Sequence, residues 1–216
     1  MKNLKLICSL LLLTLIFSCN PDDEDPFPVE CNPAATSYYN FNTGTYWIYQ
    51  WYQVDTLGNE TIMENNIDTL RNVGDTLING QTYVKQRGNY LSSQVNDYFK
   101  RDSAGYLVNE RGDILFSATN FVDILNFQNY GDPDMPLFTG TFKMESDVLN
   151  TVETPAGSFE CLNFQGSFEG TTSNLSWDNR TTDAYFAEGI GEVQSGTFYA
   201  SSPGDLIRRL VEYQVE

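Results

Sequence analysis

Hydrophobic and polar positions alternate along this chain in short runs with the period of strands. GTYWIYQWYQVDT, Gly44 to Thr56, is dense in aromatic and β-branched residues and has no helix cap. Leu57 to Glu60 supplies a turn. Ile67 to Val73 and Thr76 to Ile78 are short strand candidates separated by Gly74-Asp75. Asn79-Gly80 is the strongest hairpin signal in the chain and leads into QTYVKQR. Val95 to Arg101, Tyr106 to Val108 and Ile114 to Phe116 continue the series. VETPAGSFECLNF, Val152 to Phe164, reads as two strands about the turn residues Pro155 and Gly157. Asp183 to Ala200 reads as one strand, bent at Gly189 and Gly191. At the end, Val211, Tyr213 and Val215 alternate with Glu212, Gln214 and Glu216, the mark of a strand with one wet face. Only Phe121 to Phe127 has helical character, with Asn120 as its cap.

The pattern predicts an all-β antiparallel meander forming a curved sheet, sandwich or partly open barrel. No fixed-period repeat suggests a solenoid or propeller. A single β-rich domain is expected over residues 37–216, long enough to bury a substantial core.

The N-terminus departs from this pattern. Lys2 and Lys5 precede an apolar run from Leu6 to Phe17, which reads as a secretory signal over residues 1–18. The run is shorter than the ~20 apolar residues a membrane helix wants. Ile16-Phe17-Ser18-Cys19 resembles the lipobox of bacterial lipoproteins, which implies cleavage before Cys19 and a lipid on its thiol. The acidic run Asp22-Asp23-Glu24-Asp25 resembles the export tag of Bacteroidota surface lipoproteins, which implies an outer-membrane, cell-surface location. Such a run is also self-repelling, and with Pro21, Pro26, Pro28 and Pro33 it makes residues 19–36 an extended tether. Further on, Thr154 to Cys161 and Tyr185 to Val193 look like segments of uncharacterised secreted β proteins of Bacteroidota. That resemblance implies a curved sheet and no activity.

Charge and cysteines narrow the partners. A formal net charge of −17 repels phosphate backbones, so nucleic-acid binding is not expected. Of four cysteines, Cys8 leaves with the signal and Cys19 takes the lipid, leaving Cys31 and Cys161. A disulfide between them would close a loop of ~130 residues, worth ~4–5 kcal/mol by loop entropy. Two buried free thiols are the alternative.

The chain has no histidine, which removes Ser-His-Asp and Cys-His catalysis and the commonest transition-metal ligand. No cofactor fingerprint and no metal-binding spacing is present. Glu153, Glu160, Glu169, Asp178, Asp183 and Glu188 lie near strands, but nothing in the sequence singles out a catalytic pair. Gly131 to Pro136 reads as a rigid acidic loop, without the spacing of a calcium loop. Tyr46, Trp47, Tyr49, Trp51 and Tyr52 put apolar groups on both faces of one strand, a core pattern. Trp177 sits in a polar stretch, where it can stack on a sugar or cap the core. Asp55-Thr56-Leu57, Asp68-Thr69-Leu70, Asp75-Thr76-Leu77 and Asp102-Ser103-Ala104 resemble the O-glycosylation signal of exported Bacteroidota proteins. That implies modification at Thr56, Thr69, Thr76 and Ser103; Asp-Thr pairs also start turns. The expected role is a membrane-anchored binding or scaffolding protein with a glycan or protein ligand, rather than an enzyme. The alternatives are a carboxylate-based glycan hydrolase and an acyl-chain carrier with an enclosed apolar cavity.

Overall fold

The computed structural model describes residues 37–91, 94–171, 175, 177 and 179–215. The signal, the lipobox and the tether, with Cys19 and Cys31, lie outside the described residues, as does Asp178.

Among the described residues, thirteen strands form one antiparallel sheet: β1 (Tyr46–Val54), β2 (Glu60–Ile78), β3 (Gln81–Asn89), β4 (Val95–Ser103), β5 (Tyr106–Asn109), β6 (Ile114–Ser117), β7 (Asn126–Asp132), β8 (Met135–Met144), β9 (Asn150–Thr154), β10 (Gly157–Gly170), β11 (Asn179–Ala187), β12 (Gly191–Phe198) and β13 (Asp205–Gln214). The spatial order is β6-β5-β4-β3-β2-β1-β13-β12-β11-β10-β8-β7, with β9 paired to β10. The chain thus meanders outward from β1 to β6, crosses to β7 and meanders back, and its last strand closes against its first. The sheet curls until β6 approaches β8 and β10, and Phe116 of β6 meets Phe186 of β11 at 4.5 Å between ring centroids. The all-β expectation resolves to a nearly closed barrel.

Alternation explains what fills it. On β1, Trp47, Tyr49 and Trp51 point inward and are 0–2 % exposed. Each such ring takes ~150–250 Å² out of water, a gross gain of roughly 4–6 kcal/mol. The same strand's other face is not core: Tyr46, Ile48 and Tyr52 are only half-buried. There the rings are covered by charged side chains, Arg71 over Tyr46 and Arg209 over Tyr52. Leu107, Phe116, Met144, Leu162, Phe186 and Leu210 complete the inner packing. Tyr39, just ahead of β1, plugs the barrel end where the chain enters, stacked on Trp47 at 5.7 Å.

Several sequence expectations change in detail. Ile67–Val73 and Thr76–Ile78 belong to one 19-residue strand, β2. The Gly74-Asp75 interruption is a bulge that Gly74 accommodates at φ +139°. A larger bulge loops out Met63 to Asn66 opposite β1, and the Gln50 amide holds it by donating to the carbonyls of Met63 (2.8 Å) and Asn66 (3.3 Å). Asn79 and Gly80 both have positive φ, as a tight hairpin turn requires. Asp183 to Ala200 is two strands, because Gly189 at φ +75° turns the chain fully around. The Phe121–Phe127 helix does not form. Asn120 does accept the N–H of Asp123, but the chain then enters β7. Gly131 to Pro136 is the β7–β8 hairpin turn rather than a long loop. In β13 the alternation breaks at a bulge between Leu210 and Glu212.

Candidate functional site

The inner wall carries charge as well as rings. β13 reads Leu206, Arg208, Leu210 on its inward side, so strand alternation drives a guanidinium into the barrel, where Arg208 is 6 % exposed. It lies 4.6 Å from the rings of Tyr49 and Tyr90. It donates to Glu192 Oε1 (2.7 and 3.0 Å) and Ser195 Oγ (2.9 Å) and approaches Asp68 Oδ2 at 3.5 Å. Asp68, 1 % exposed, also accepts Trp51 Nε1 (2.8 Å) and the Leu91 N–H (2.9 Å). Burial raises the Asp68 carboxyl above its ordinary value. Burial likewise opposes the Arg208 charge, but Glu192, Tyr90 and Tyr49 around it together outweigh that and keep the guanidinium protonated. The donors and acceptors of this network meet one another, so its role is to fix the strands around it.

The chemistry that faces outward lies at the entry end of the barrel. β2, β3 and β4 project past the start of β1 there, and the segment Phe41-Asn42 runs beside them. Between them opens a solvent-accessible groove of about 370 Å³, lined by Phe41, Asn42, Asp75, Thr82, Val84, Lys100, Arg101 and Asp102. Two of its lining side chains carry buried polar atoms with no protein partner, Arg101 Nε and Asp102 Oδ2. The Lys100 ammonium sits 4.8 Å above the Tyr39 ring. Burial lowers the Lys100 pKa to about 8, from an ordinary 10.5, although Glu192 works the other way. The groove therefore offers an aromatic wall, an amine, an amide, a hydroxyl and carboxylates within one small volume. It can hydrogen-bond a polyhydroxylated ligand from several directions.

Lys100 makes a direct prediction about pH. Its pKa is lower folded than unfolded, so the unfolded chain binds more protons between pH 8 and 10.5, and this group's contribution to stability rises with pH across that window. Lys100→Met is expected to raise the melting temperature at pH 7 and to flatten that rise. Calorimetry at pH 7 and pH 10 checks both; an unchanged profile would refute the buried placement of the amine.

None of the described acids nominated from the sequence lines the entry groove. Trp177 donates Nε1 to the Ala200 carbonyl (3.1 Å) and packs edge-on against Phe138 and Phe198 at 5.4 and 5.3 Å. Arg180 lies over Phe198 at 4.2 Å and donates to the carbonyls of Ser202 and Gly204. These residues cap the opposite end of the barrel. Glu153 and Glu160 are taken up by cross-strand bonds to Ser158 and Thr151. Glu169 and Glu188 are exposed, and Glu169 lines a groove of about 260 Å³ with Thr139, Thr141 and Arg180. Asp183 borders a smaller cleft, about 100 Å³, between β11 and β12. Thr56 and Thr69 are exposed, and Thr76 and Ser103 half-exposed. Asp55 and Asp102 do head turns, but Asp68-Thr69 and Asp75-Thr76 lie within β2. Cys161 is buried and has no disulfide partner among the described residues, and as a thiol its pKa is lifted by burial to about 12. It lies within electrostatic reach of the Tyr38 phenol, close to the start of the described chain.

The acyl-carrier reading required an enclosed apolar cavity. The barrel interior is instead occupied by side chains, and the three grooves above all open to solvent with mixed polar and apolar linings.

No protein-family model matches the chain, and no curated protein does. Two solved structures are similar to it. One, described as a candidate lipoprotein from Parabacteroides distasonis, aligns with a TM-score of 0.51 and 10 % identity over 82 % of this chain and 98 % of its own. The other, a candidate exported protein from Bacteroides fragilis with a YmcC-like fold, gives a TM-score of 0.49 and 16 % identity over the same shares. The likeness to the first is one of fold.

Proposed function

We propose that this chain is a lipid-anchored binding protein of the outer membrane, displayed at the cell surface, which takes a neutral glycan into the groove at the entry end of its barrel. The groove carries the reading. It combines the ring of Phe41 with donors and acceptors of both kinds, Lys100, Arg101, Asp102, Asp75, Thr82 and Asn42, in a volume of about 370 Å³. That is the surface a sugar ring with several hydroxyls requires, and nothing in it selects a strong charge. Binding without turnover fits the absence of histidine from the sequence.

Glycan arrays and calorimetry test this. The wild type is expected to bind neutral oligosaccharides, and Lys100→Met and Asp102→Asn to lose that binding. Because Lys100→Met is expected to gain stability, its loss of binding would not reflect unfolding. A wild type that binds no glycan refutes the proposal.

The anchor rests on the lipobox and acidic run, and a similar fold in a candidate lipoprotein supports it. Intact mass of protein extracted from membranes is expected to lack residues 1–18 and to exceed the bare polypeptide by acyl chains. The protein is expected to enter the detergent phase on extraction. Denatured without reductant, it is expected to show no free thiol, since we place Cys31 in a bridge with Cys161. Sugar mass on Thr56, Thr69, Thr76 or Ser103 would appear in the same spectrum. Bare mass with aqueous partitioning refutes the anchor.

A further inference from the structure

A second cluster of polar side chains lies at the end of β8 and on β10 and β11, away from the entry groove. Asn163 of β10 is 2 % exposed, and its side-chain amide lies between two carboxylates. Its Nδ2 donates to Glu145 Oε2, just beyond β8, at 3.1 Å, and to Asp183 Oδ1 of β11 at 2.8 Å. The Oδ1 of the same amide is buried and has no partner in the protein. Gln165, two residues on, also turns its amide to Asp183 Oδ1, at 3.1 Å. Strand pairing fixes this set. Glu145 N–H donates to the Asn163 carbonyl, Asn163 stands opposite Tyr185, and Gln165 stands opposite Asp183.

We propose that Glu145, Asn163, Gln165 and Asp183 form a binding site for a hard divalent cation of the calcium class. Two carboxylates converge on the Asn163 amide, whose nitrogen holds the place between them while its buried oxygen has no partner. Turning the Asn163 amide end for end brings its oxygen toward both carboxylates, an arrangement that needs positive charge between them. Gln165 can turn in the same way. The resulting ligands are all oxygens, with no imidazole and no thiolate, which suits calcium rather than zinc or copper. Glu145 is exposed and can swing to the ~2.3–2.6 Å that calcium–oxygen bonds require, with water completing the shell on the open side. Without the ion, the Asn163 NH₂ takes its place as the positive end of a dipole. Lys143, opposite Gln165, is exposed and flanks the set, so one basic group offsets two acids. The affinity expected is that of extracellular calcium modules, with Kd on the order of 10⁻⁴–10⁻³ M.

Terbium luminescence on the full-length protein tests this, with tyrosine excitation and Tyr185 as the near sensitiser. A saturable signal displaced by calcium is expected. Asp183→Asn and Glu145→Gln should each weaken it ~10-fold or more. Asp134→Asn, in the β7–β8 turn, should leave it unchanged. Tyr185→Phe should dim the signal without changing calcium displacement. Asn163→Asp supplies a control that does not depend on retaining wild-type stability: it should bind calcium more tightly and melt lower than wild type only in chelator. No saturable signal, a signal indifferent to Asp183→Asn and Glu145→Gln, or a calcium-independent Asn163→Asp melting temperature would each overturn the assignment.

Discussion

Arg208→Ala is expected to destabilise the protein by ~3–5 kcal/mol, because it leaves two carboxylates inside the barrel without their counter-charge. Asp68 and Glu192 both lean on this guanidinium, at 3.5 and 2.7 Å. Asp68 cannot turn to water without dismantling the strands, since it also holds Trp51 Nε1 and the Leu91 N–H. Against a typical total of ~5–15 kcal/mol, the loss is a large share of the fold's margin. For a domain of this size it corresponds to roughly 6–20 °C in melting temperature. Urea unfolding measures it directly. The deficit should shrink as the pH falls, because protonating the stranded carboxyls removes the uncompensated charge. Adding Glu192→Gln to Arg208→Met should recover part of the loss, since a neutral pair needs no counter-ion. An Arg208→Ala variant as stable as wild type at pH 7 would show that water reaches the network and that the barrel core is looser than described.

Gly88→Ala should be nearly as damaging for a steric reason. A Cβ at Gly88 would stand 2.1 Å from the Thr69 carbonyl oxygen and 2.9 Å from the Leu70 Cα. Those are backbone atoms of the neighbouring strand, and they cannot rotate away as a side chain can. Overpacking of this sort costs ~1–3 kcal/mol when neighbours yield, and this contact belongs at or above the upper end. Gly196→Ala is the control, since its added Cβ meets nothing nearer than 3.7 Å. The comparison is a pair of denaturation curves. Equal midpoints for the two variants would mean that β2 and β3 are not held at the pairing Leu70–Gly88.

These sites also mark where the sequence could be read and where it could not. Asn79-Gly80 announced its hairpin because positive φ at both positions is a local demand that few residues meet. The rings of Tyr46 to Tyr52 marked a core strand but put apolar groups on both its faces, and only the sheet shows that Trp47, Tyr49 and Trp51 alone face inward while arginines cover Tyr46 and Tyr52. Arg208 was opaque. In Leu206-Ile207-Arg208-Arg209-Leu210 two arginines stand side by side, and only the sheet decides which one is buried with Glu192 and which reaches Glu60 on the outer face. The Gln50 clasp on the Met63–Asn66 bulge was equally hidden, since a glutamine carries no local sign that its amide will meet two carbonyls of the next strand. The entry groove was invisible for the same reason, because Phe41, Asp75 and Lys100 become neighbours only when three hairpin strands overhang the start of β1. Glu145 was passed over while Asp183 was noticed, as nothing near Glu145 in sequence reveals that Asn163 will bridge the two.

The closing seam between β1 and β13 has a kinetic consequence. Tyr46 and Glu212, joined there by a 2.7 Å hydrogen bond, are 166 residues apart in sequence. Strand β13 occupies the middle of the spatial order, with β1 on one side and β12 on the other. Contacts of such long range place folding in the slow regime of non-local β proteins, roughly milliseconds to seconds. Until β13 pairs with both, the two halves of the meander share no strand pairing, only packing contacts such as Phe116 on Phe186. A chain cut before Asp205 should therefore fail to close at all, leaving two sheet fragments with exposed edges that self-associate.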